Sequence, residues 1–324
     1  MKISLETEQF VLENTGASKL TNISLIQNVW SNYGQILRIG LQGAETTSVV
    51  VKIIQSSAHQ KHPRAWNSTL GHSRKLRSYQ VEHYWYQHYA SRCKMAAVPR
   101  CVALGRVEDA LILVLEDLST CGFPLRLQQL NWQQLKVCIR WLACFHATFM
   151  HQRPVGLWPI GTYWHLATRP EELKALDDKA LQQAAAAIDS LLNSCRYQTY
   201  VHGDAKIANF CFSNDTRQAA AVDFQYVGAG CGMKDLAYLI GSCMDENECE
   251  KYETALLNYY FEQLQQAHSL SYKEVQEIEK EWRPMYRIAW ADFHRFMKGW
   301  SPGHWKINSY SERLTAAVVH QINQ

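Results

Sequence analysis

The stretch YVHGDAKIANF, residues 200 to 210, sets a carboxylate, an ammonium and a carboxamide, Asp204, Lys206 and Asn209, within six residues, and a second carboxylate follows at Asp223 in AAAVDF. Asp and Asn oxygens are hard ligands suited to Mg²⁺, which takes few protein groups and completes its shell with water and phosphate oxygens. A strand, a turn and a returning strand would bring Asn209 and Asp223 side by side. Asp204, on the turn, would then be free to accept the proton of a hydroxyl attacking phosphorus. Singly, each of these residues serves equally well to cap a turn; the chemical reading comes from their order and from partners elsewhere.

One partner is Lys52, a lone cation between Val49-Val50-Val51 and Ile53-Ile54. A charge in such a strand needs an opposite charge beside it. After the stretch 53 to 81, which contains no acid, Glu82 is the nearest carboxylate downstream. A strand lysine paired with a helix glutamate and aimed at nucleotide phosphates is an arrangement used by kinases.

These residues need elements to hold them. Alternation in QILRIGL puts Leu37, Ile39 and Leu41 opposite Ile36, Arg38 and Gly40; TTSVVVKII is β-branched, so two antiparallel strands joined near QGAE are expected. A helix over 73 to 90 and a buried strand over 110 to 118 complete a small sheet with one helix. After Gly122-Phe123-Pro124 the character turns helical. Trp132, Leu135, Ile139, Leu142, Phe145 and Phe149 form one stripe, and further helices are expected near 171 to 194, 246 to 268, 272 to 298 and 310 to 322, around a strand-rich island at 199 to 227. The layout is a small β-rich lobe, a connector and a larger helical lobe, with a cleft between lobes as the natural place for a small-molecule site.

HGDAKIAN followed by VDF resembles the HGDxxxxN and (I/V)D(F/W) signatures of the aminoglycoside phosphotransferase and choline kinase superfamily. LVLEDLSTCGF, LACFHA and VDFQYVGAGCGMKDLAYLI look like the ecdysteroid-kinase-like, or CHK-kinase-like, family, over roughly residues 30 to 300. The resemblance implies an α+β, bilobal protein-kinase-like fold, with a nucleotide-binding lobe over 1 to 117 and a catalytic and acceptor-binding lobe over 118 to 324. It implies ATP and Mg²⁺ as cofactors and a small-molecule alcohol as acceptor. By position, Asp204 matches the catalytic aspartate, Asn209 and Asp223 the metal ligands, Lys52 the phosphate-binding lysine and Glu82 its partner. Glu116, Asp117 and Leu118 fall on the connecting strand that meets the adenine edge through backbone groups, and Lys206 falls near the γ-phosphate. The glycine-rich loop is poor: SNYGQILRIGLQG offers Gly34 at the first hairpin turn and no full GxGxxG.

Other candidates carry a structural reading beside the chemical one. Asp292 lies in the apolar stripe of YRIAWADFHRFMKGW, so it is paired with a buried Arg or Lys or faces a cavity. In the second case it would join Tyr226 in the acceptor pocket. Asp235 is a candidate N-cap of the helix after it. His202 is expected to steady its turn by hydrogen bonding, and the basic residues between His59 and Arg77 to form a solvated connector.

Composition sets the outer bounds. Of 324 residues 47% are hydrophobic and 19% charged, with net charge +3 and no long block of one sign, which gives no reason to expect a nucleic-acid or membrane partner. The ten cysteines form no CxxC pair and read as reduced thiols, and no window reaches the roughly 18 apolar residues of a membrane span. A cytoplasmic location is expected. Two rival functions fit the same sequence: a catalytically silent nucleotide-binding protein, and an aminoglycoside kinase using the acids of CMDENECE.

Overall fold

The computed structural model describes residues 3–29, 33–55 and 69–324. The N-terminal lobe is a five-stranded antiparallel sheet in the order β1-β2-β3-β5-β4, formed by β1 (Lys19–Asn28), β2 (Gly34–Gln42), β3 (Ser48–Gln55), β4 (Cys101–Val107) and β5 (Ala110–Glu116). The expected hairpin is β2 and β3, with Ile36 opposite Lys52 and Gly40 opposite Ser48. Alternation along β3 settles where the lysine goes. Val49 and Val51 join Leu37, Ile39, Ile112 and Val114 in a core beneath α1 (Leu5–Thr15), while Lys52 and Ile54 point toward α2 (Thr69–His88).

Two strands of this lobe have weak sequence patterns, and α1 adds a second helix. Strand β1 buries Leu20 alone among its ten residues, so it lacks the alternation that marks a half-buried strand. Strand β4 carries Gly105, where an added Cβ would stand 2.7 Å from the Phe10 ring of α1, so its packing depends on a residue far away in sequence. With α1 and α2 the described lobe holds two α-helices where one was expected.

The C-terminal lobe comprises α3 (Trp132–Thr148), α4 (Pro170–Lys174), α5 (Lys179–Asn193), α6 (Met233–Cys243), α7 (Glu246–Gln266), α8 (Tyr272–Trp300) and α9 (Ser309–Ile322). The helix expected over 171 to 194 is two: Asp178 accepts from the Leu181 N–H and restarts the chain as α5. The expected island is four three-residue strands. Of these, β6 (Thr199–Val201) pairs with β9 (Gly228–Gly230), and β7 (Phe210–Phe212) pairs with β8 (Ala219–Ala221). No described helix is long and apolar enough to cross a membrane, and all ten cysteines are free.

Helix α2 belongs to both lobes. Trp85, fully buried, stacks on Phe224 with centroids 4.7 Å apart and meets Phe149 edge-on at 5.3 Å. Along the same helix Arg74 donates to Thr168 O, Arg77 to Gly156 O and Leu157 O, and Lys75 and Ser78 to Gln225 Oε1. The reading of a solvated basic connector is thus corrected for Arg74, Lys75 and Arg77, which cap carbonyl and amide oxygens of the other lobe; residues 59 to 68 lie outside the described residues.

Candidate active site

The turn after β6 is built around one glycine and one histidine. Gly203 has φ +79°, and a Cβ there would sit 2.2 Å from Tyr226 O, so only glycine fits. His202, fully buried, accepts the Asp204 N–H on Nδ1 (3.2 Å) and donates from Nε2 to Val222 O (3.0 Å), which fixes its tautomer and ties the turn to Asp223. The structural role expected for His202 is the observed one.

Asp235 holds the turn from below. It is not the N-cap of α6, whose cap position is Gly232. Its fully buried carboxylate accepts from His202 N (2.5 Å) and Gly203 N (2.9 Å), and from His146 Nε2 (3.2 Å), whose Nδ1 takes the Tyr260 hydroxyl proton (2.8 Å). A residue early in a helix has its side chain free to reach a neighbouring loop, and here the loop supplies two N–H donors that would otherwise be orphaned.

Asp204 is thereby presented with three donors: Lys206 Nζ at 2.9 Å and Asn209 Nδ2 at 3.1 Å on Oδ2, and the Tyr238 hydroxyl at 3.2 Å on Oδ1. Asn209 spends its second N–H on Asp204 O (2.7 Å), so its carbonyl oxygen points elsewhere and receives no donor among the described residues. The returning strand brings Asp223 alongside, through the bond from Val222 N to Asn209 O (3.0 Å). Asp223 takes positive φ (70°), a region Asp tolerates better than most residues. Its Oδ1 is buried and accepts no hydrogen bond.

Lys52 completes the cluster. Its Nζ lies 2.6 Å from Glu82 Oε2 and 3.6 Å from Asp223 Oδ1. Burial alone would lower the Lys52 ammonium, but the Glu82 and Asp223 carboxylates outweigh it and hold the pKa above the ordinary lysine value. Asp223 is the mirror case: burial raises it, and Lys52, Lys206 and Lys75 together hold it below the usual carboxylate range. Asn209 Oδ1, and Asp223 Oδ1, which accepts no hydrogen bond and meets only the Lys52 ammonium at 3.6 Å, are a donor set that fits Mg²⁺ only with phosphate or water oxygens added. Among the described residues no group of three or more His, Cys, Asp or Glu could hold a metal without them.

The connector is more occupied than its sequence suggests. Asp117, 1% exposed, accepts from Arg38 Nε (2.7 Å), Ser48 Oγ (2.8 Å) and Ser119 N (3.1 Å), so its side chain pins the sheet to the connector. The Glu116 N–H donates to Arg100 O, and Leu118 O accepts from Cys121 and Phe123. The Leu118 N–H has no acceptor among the described residues. Gly34 is the first residue of β2, and residues 30 to 32 of the expected loop lie outside the described residues. A Cβ on Gly34 would fall 1.8 Å from Ile53 O, so strand contact alone requires the glycine.

For the acceptor candidates the structure divides the two. Tyr226 is half-buried, with its ring 5.9 Å from Tyr163 and 6.2 Å from Trp158. Asp292 follows the first of its two readings: 1% exposed, it accepts from Arg295 Nη2 (2.9 Å) and the Trp164 indole (2.9 Å), an ion pair inside the lobe and not the wall of a cavity. Sequence reasoning missed Tyr238, three residues after Asp235 on α6, because nothing in LAYLI distinguishes a tyrosine that reaches the turn from one in the core.

The sequence profile of the ecdysteroid kinase-like family matches residues 33–153 and 161–272. Among solved structures, an ethanolamine kinase of Plasmodium vivax superposes with a TM-score of 0.52 at 11% identity, covering 93% of this chain and 83% of that one. An aminoglycoside phosphotransferase of Streptomyces rimosus in complex with ADP and streptomycin gives 0.47 at 11% identity, with 87% and 99% covered. An aminoglycoside-3'-phosphotransferase of type VIII gives 0.47 at 17% identity, with 90% and 100% covered. No curated protein sequence matches. At these identities the likeness is one of fold, the α+β bilobal protein-kinase-like arrangement.

Proposed function

The chain belongs to the ecdysteroid kinase-like family, and we propose that it is an ATP- and Mg²⁺-dependent kinase that moves the γ-phosphoryl group of ATP to a hydroxyl of a small-molecule alcohol. The observation that carries this reading is the meeting of Lys52, Asp223, Asn209 and Asp204 in one cluster, with Asp223 Oδ1 accepting no hydrogen bond. Bound Mg²⁺ would draw charge from the phosphates. Asn209 and Asp223 would hold it, Lys52 would meet the phosphates while Glu82 fixes the lysine's position, and the Leu118 N–H would meet the base. Lys206 already bridges to Asp204; burial lowers its ammonium, and Asp204 more than restores it. It is placed to offset charge on the transferred group, while Asp204 orients the acceptor hydroxyl and takes its proton.

We divide the chain at 117/118 into a lobe that would meet the phosphates through Lys52 and a lobe that would carry Leu118, the metal ligands and the acceptor, with Tyr226 near Lys206. The ten free thiols suit a reducing compartment, and we place the protein in the cytoplasm.

The test is Asp223→Ala, followed by calorimetry with ATP in the presence and absence of Mg²⁺. Affinity for MgATP should fall by about tenfold or more, the scale of one lost metal ligand or its support, while binding of metal-free ATP changes little. Unchanged MgATP affinity would remove Asp223 from the metal site.

A further inference from the structure

Beyond Tyr238, whose hydroxyl donates to Asp204 Oδ1, stands a lysine that the proposed transfer does not use. Lys306 lies on the turn between α8 and α9. Its Nζ is 4.8 Å from the ring centroid of Tyr238, 5.5 Å from Phe293 and 5.6 Å from Trp305. Among the described residues no carboxylate or carbonyl pairs with this ammonium. Burial lowers its pKa to about 8, with Asp204 pulling the other way and Lys206 adding to the fall, so the group feels the catalytic turn directly.

Three aromatic rings around an ammonium are the usual recognition site for a cationic ligand. Here the chain's own lysine occupies it. A choline-like or amino alcohol approaching Asp204 would meet a filled cage and two ammonium groups. The carboxylate that acts on Lys306 is that of Asp204, and it is already bonded to Lys206. The uncompensated charge on this side is therefore positive. A half-buried cation without a counter-ion is costly, and a ligand that brings the counter-ion recovers that cost. Next to it Trp305 leaves 59% of its surface exposed, which offers an apolar wall for the rest of the same ligand.

We propose that Lys306 determines acceptor specificity by pairing with an anionic group, so that the acceptor is an amphipathic alcohol bearing a carboxylate or similar anion near its hydroxyl, and cationic alcohols are rejected. This rests on the placement of the acceptor beside Asp204 argued above. Lys306 acts on binding, not on the transferred phosphoryl group.

Three probes of matched shape test it: 4-(hydroxymethyl)benzoate, 4-methylbenzyl alcohol and 4-(aminomethyl)benzyl alcohol. Each is titrated calorimetrically into the full chain saturated with Mg²⁺ and a non-hydrolysable ATP analogue. The benzoate should bind about tenfold or more tighter than the amine, Lys306→Met should bring the two to within about threefold, and Lys306→Glu should reverse the order. Unchanged affinity of each variant for the ATP analogue serves as the check on folding. Equal binding of the three, preference for the amine, persistence of the gap in Lys306→Met, or no binding of any probe would each overturn the proposal. Phosphoryl transfer to the same probes is read separately. Transfer without charge preference leaves the kinase reading standing and removes this one; charge-selective binding without transfer to any alcohol does the reverse.

Discussion

Replacing Asp204 with asparagine should lower turnover about 10²- to 10⁴-fold, the range for losing a general base, while MgATP binds nearly as well as to the wild type. Asparagine has the same shape and, with its carbonyl oxygen at the Oδ1 position, can still receive the Tyr238 hydroxyl, but the Oδ2 position becomes an NH₂ that no longer accepts the Asn209 amide. What it loses is a second oxygen and the ability to take a proton. Its new NH₂ group would face Lys206 Nζ, which now lies 2.9 Å from Oδ2, and two donors cannot bond each other. Lys206 is 38% exposed and can turn to solvent, so the turn itself survives. Lys206→Ala made separately measures how much of the loss comes from that displaced cation. A steady-state assay of ADP release, with calorimetry for the nucleotide, separates chemistry from binding. Turnover within a few-fold of normal would exclude Asp204 as the base.

The second large effect belongs to a residue that should touch neither nucleotide nor acceptor. Asp235→Ala should cost about 3–5 kcal/mol of stability, because it orphans the N–H groups of His202 and Gly203 and the Nε2 donor of His146 in a fully buried setting. In a chain of this size that is on the order of 10 °C in melting temperature. Magnitude decides between the two readings of this residue. An N-cap replaced by alanine costs only about 1 kcal/mol and would leave the turn intact. Asp235→Asn keeps one acceptor and sets an NH₂ against a backbone N–H, so a fall in turnover larger than its fall in melting temperature would mark a positioning role. A melting temperature for Asp235→Ala within about 2 °C of wild type would reject the anchor altogether.

How much of this was legible in the sequence depended on whether the physical signal was local. Lys52 stood out because a charge in a β-branched run demands a partner, and Glu82 was the acid within reach. Asp204, Asn209 and Asp223 stood out as an ordered set, and the β7–β8 hairpin brings the last two together as the spacing suggested. Asp235 could not be read this way. At the start of a helix an acid looks the same whether it caps that helix or reaches a turn 32 residues earlier, and only the return of the chain through β9 decides. Asp292 posed a choice between pairing and exposure that Arg295, one turn on, resolves in three dimensions. Lys306 gave no signal because its surroundings come from α6, α8 and its own turn. Strand β1 escaped notice because an edge strand with one buried residue has no pattern to find.

The anchoring of α2 bears on how the chain folds. Val81, Trp85 and Tyr86 of α2 sit in the same apolar cluster as Leu142 and Phe145 of α3, Phe149 just after it and Phe224, so a helix encoded in the first third of the chain completes a core encoded in the last two-thirds. A fragment beginning at residue 118 would leave that cluster open on the Trp85 side, and should populate a loosely packed state that binds hydrophobic dye. The intact chain should melt in one calorimetric transition, with α2 amides exchanging hydrogen as slowly as those of α3. Two separated transitions, or a fragment with sharp native melting, would show that the halves are independent units. If they are not, nucleotide lobe and catalytic lobe are a division of labour and not of folding, and Glu82 has no route out of the cleft that leaves the rest of the molecule intact.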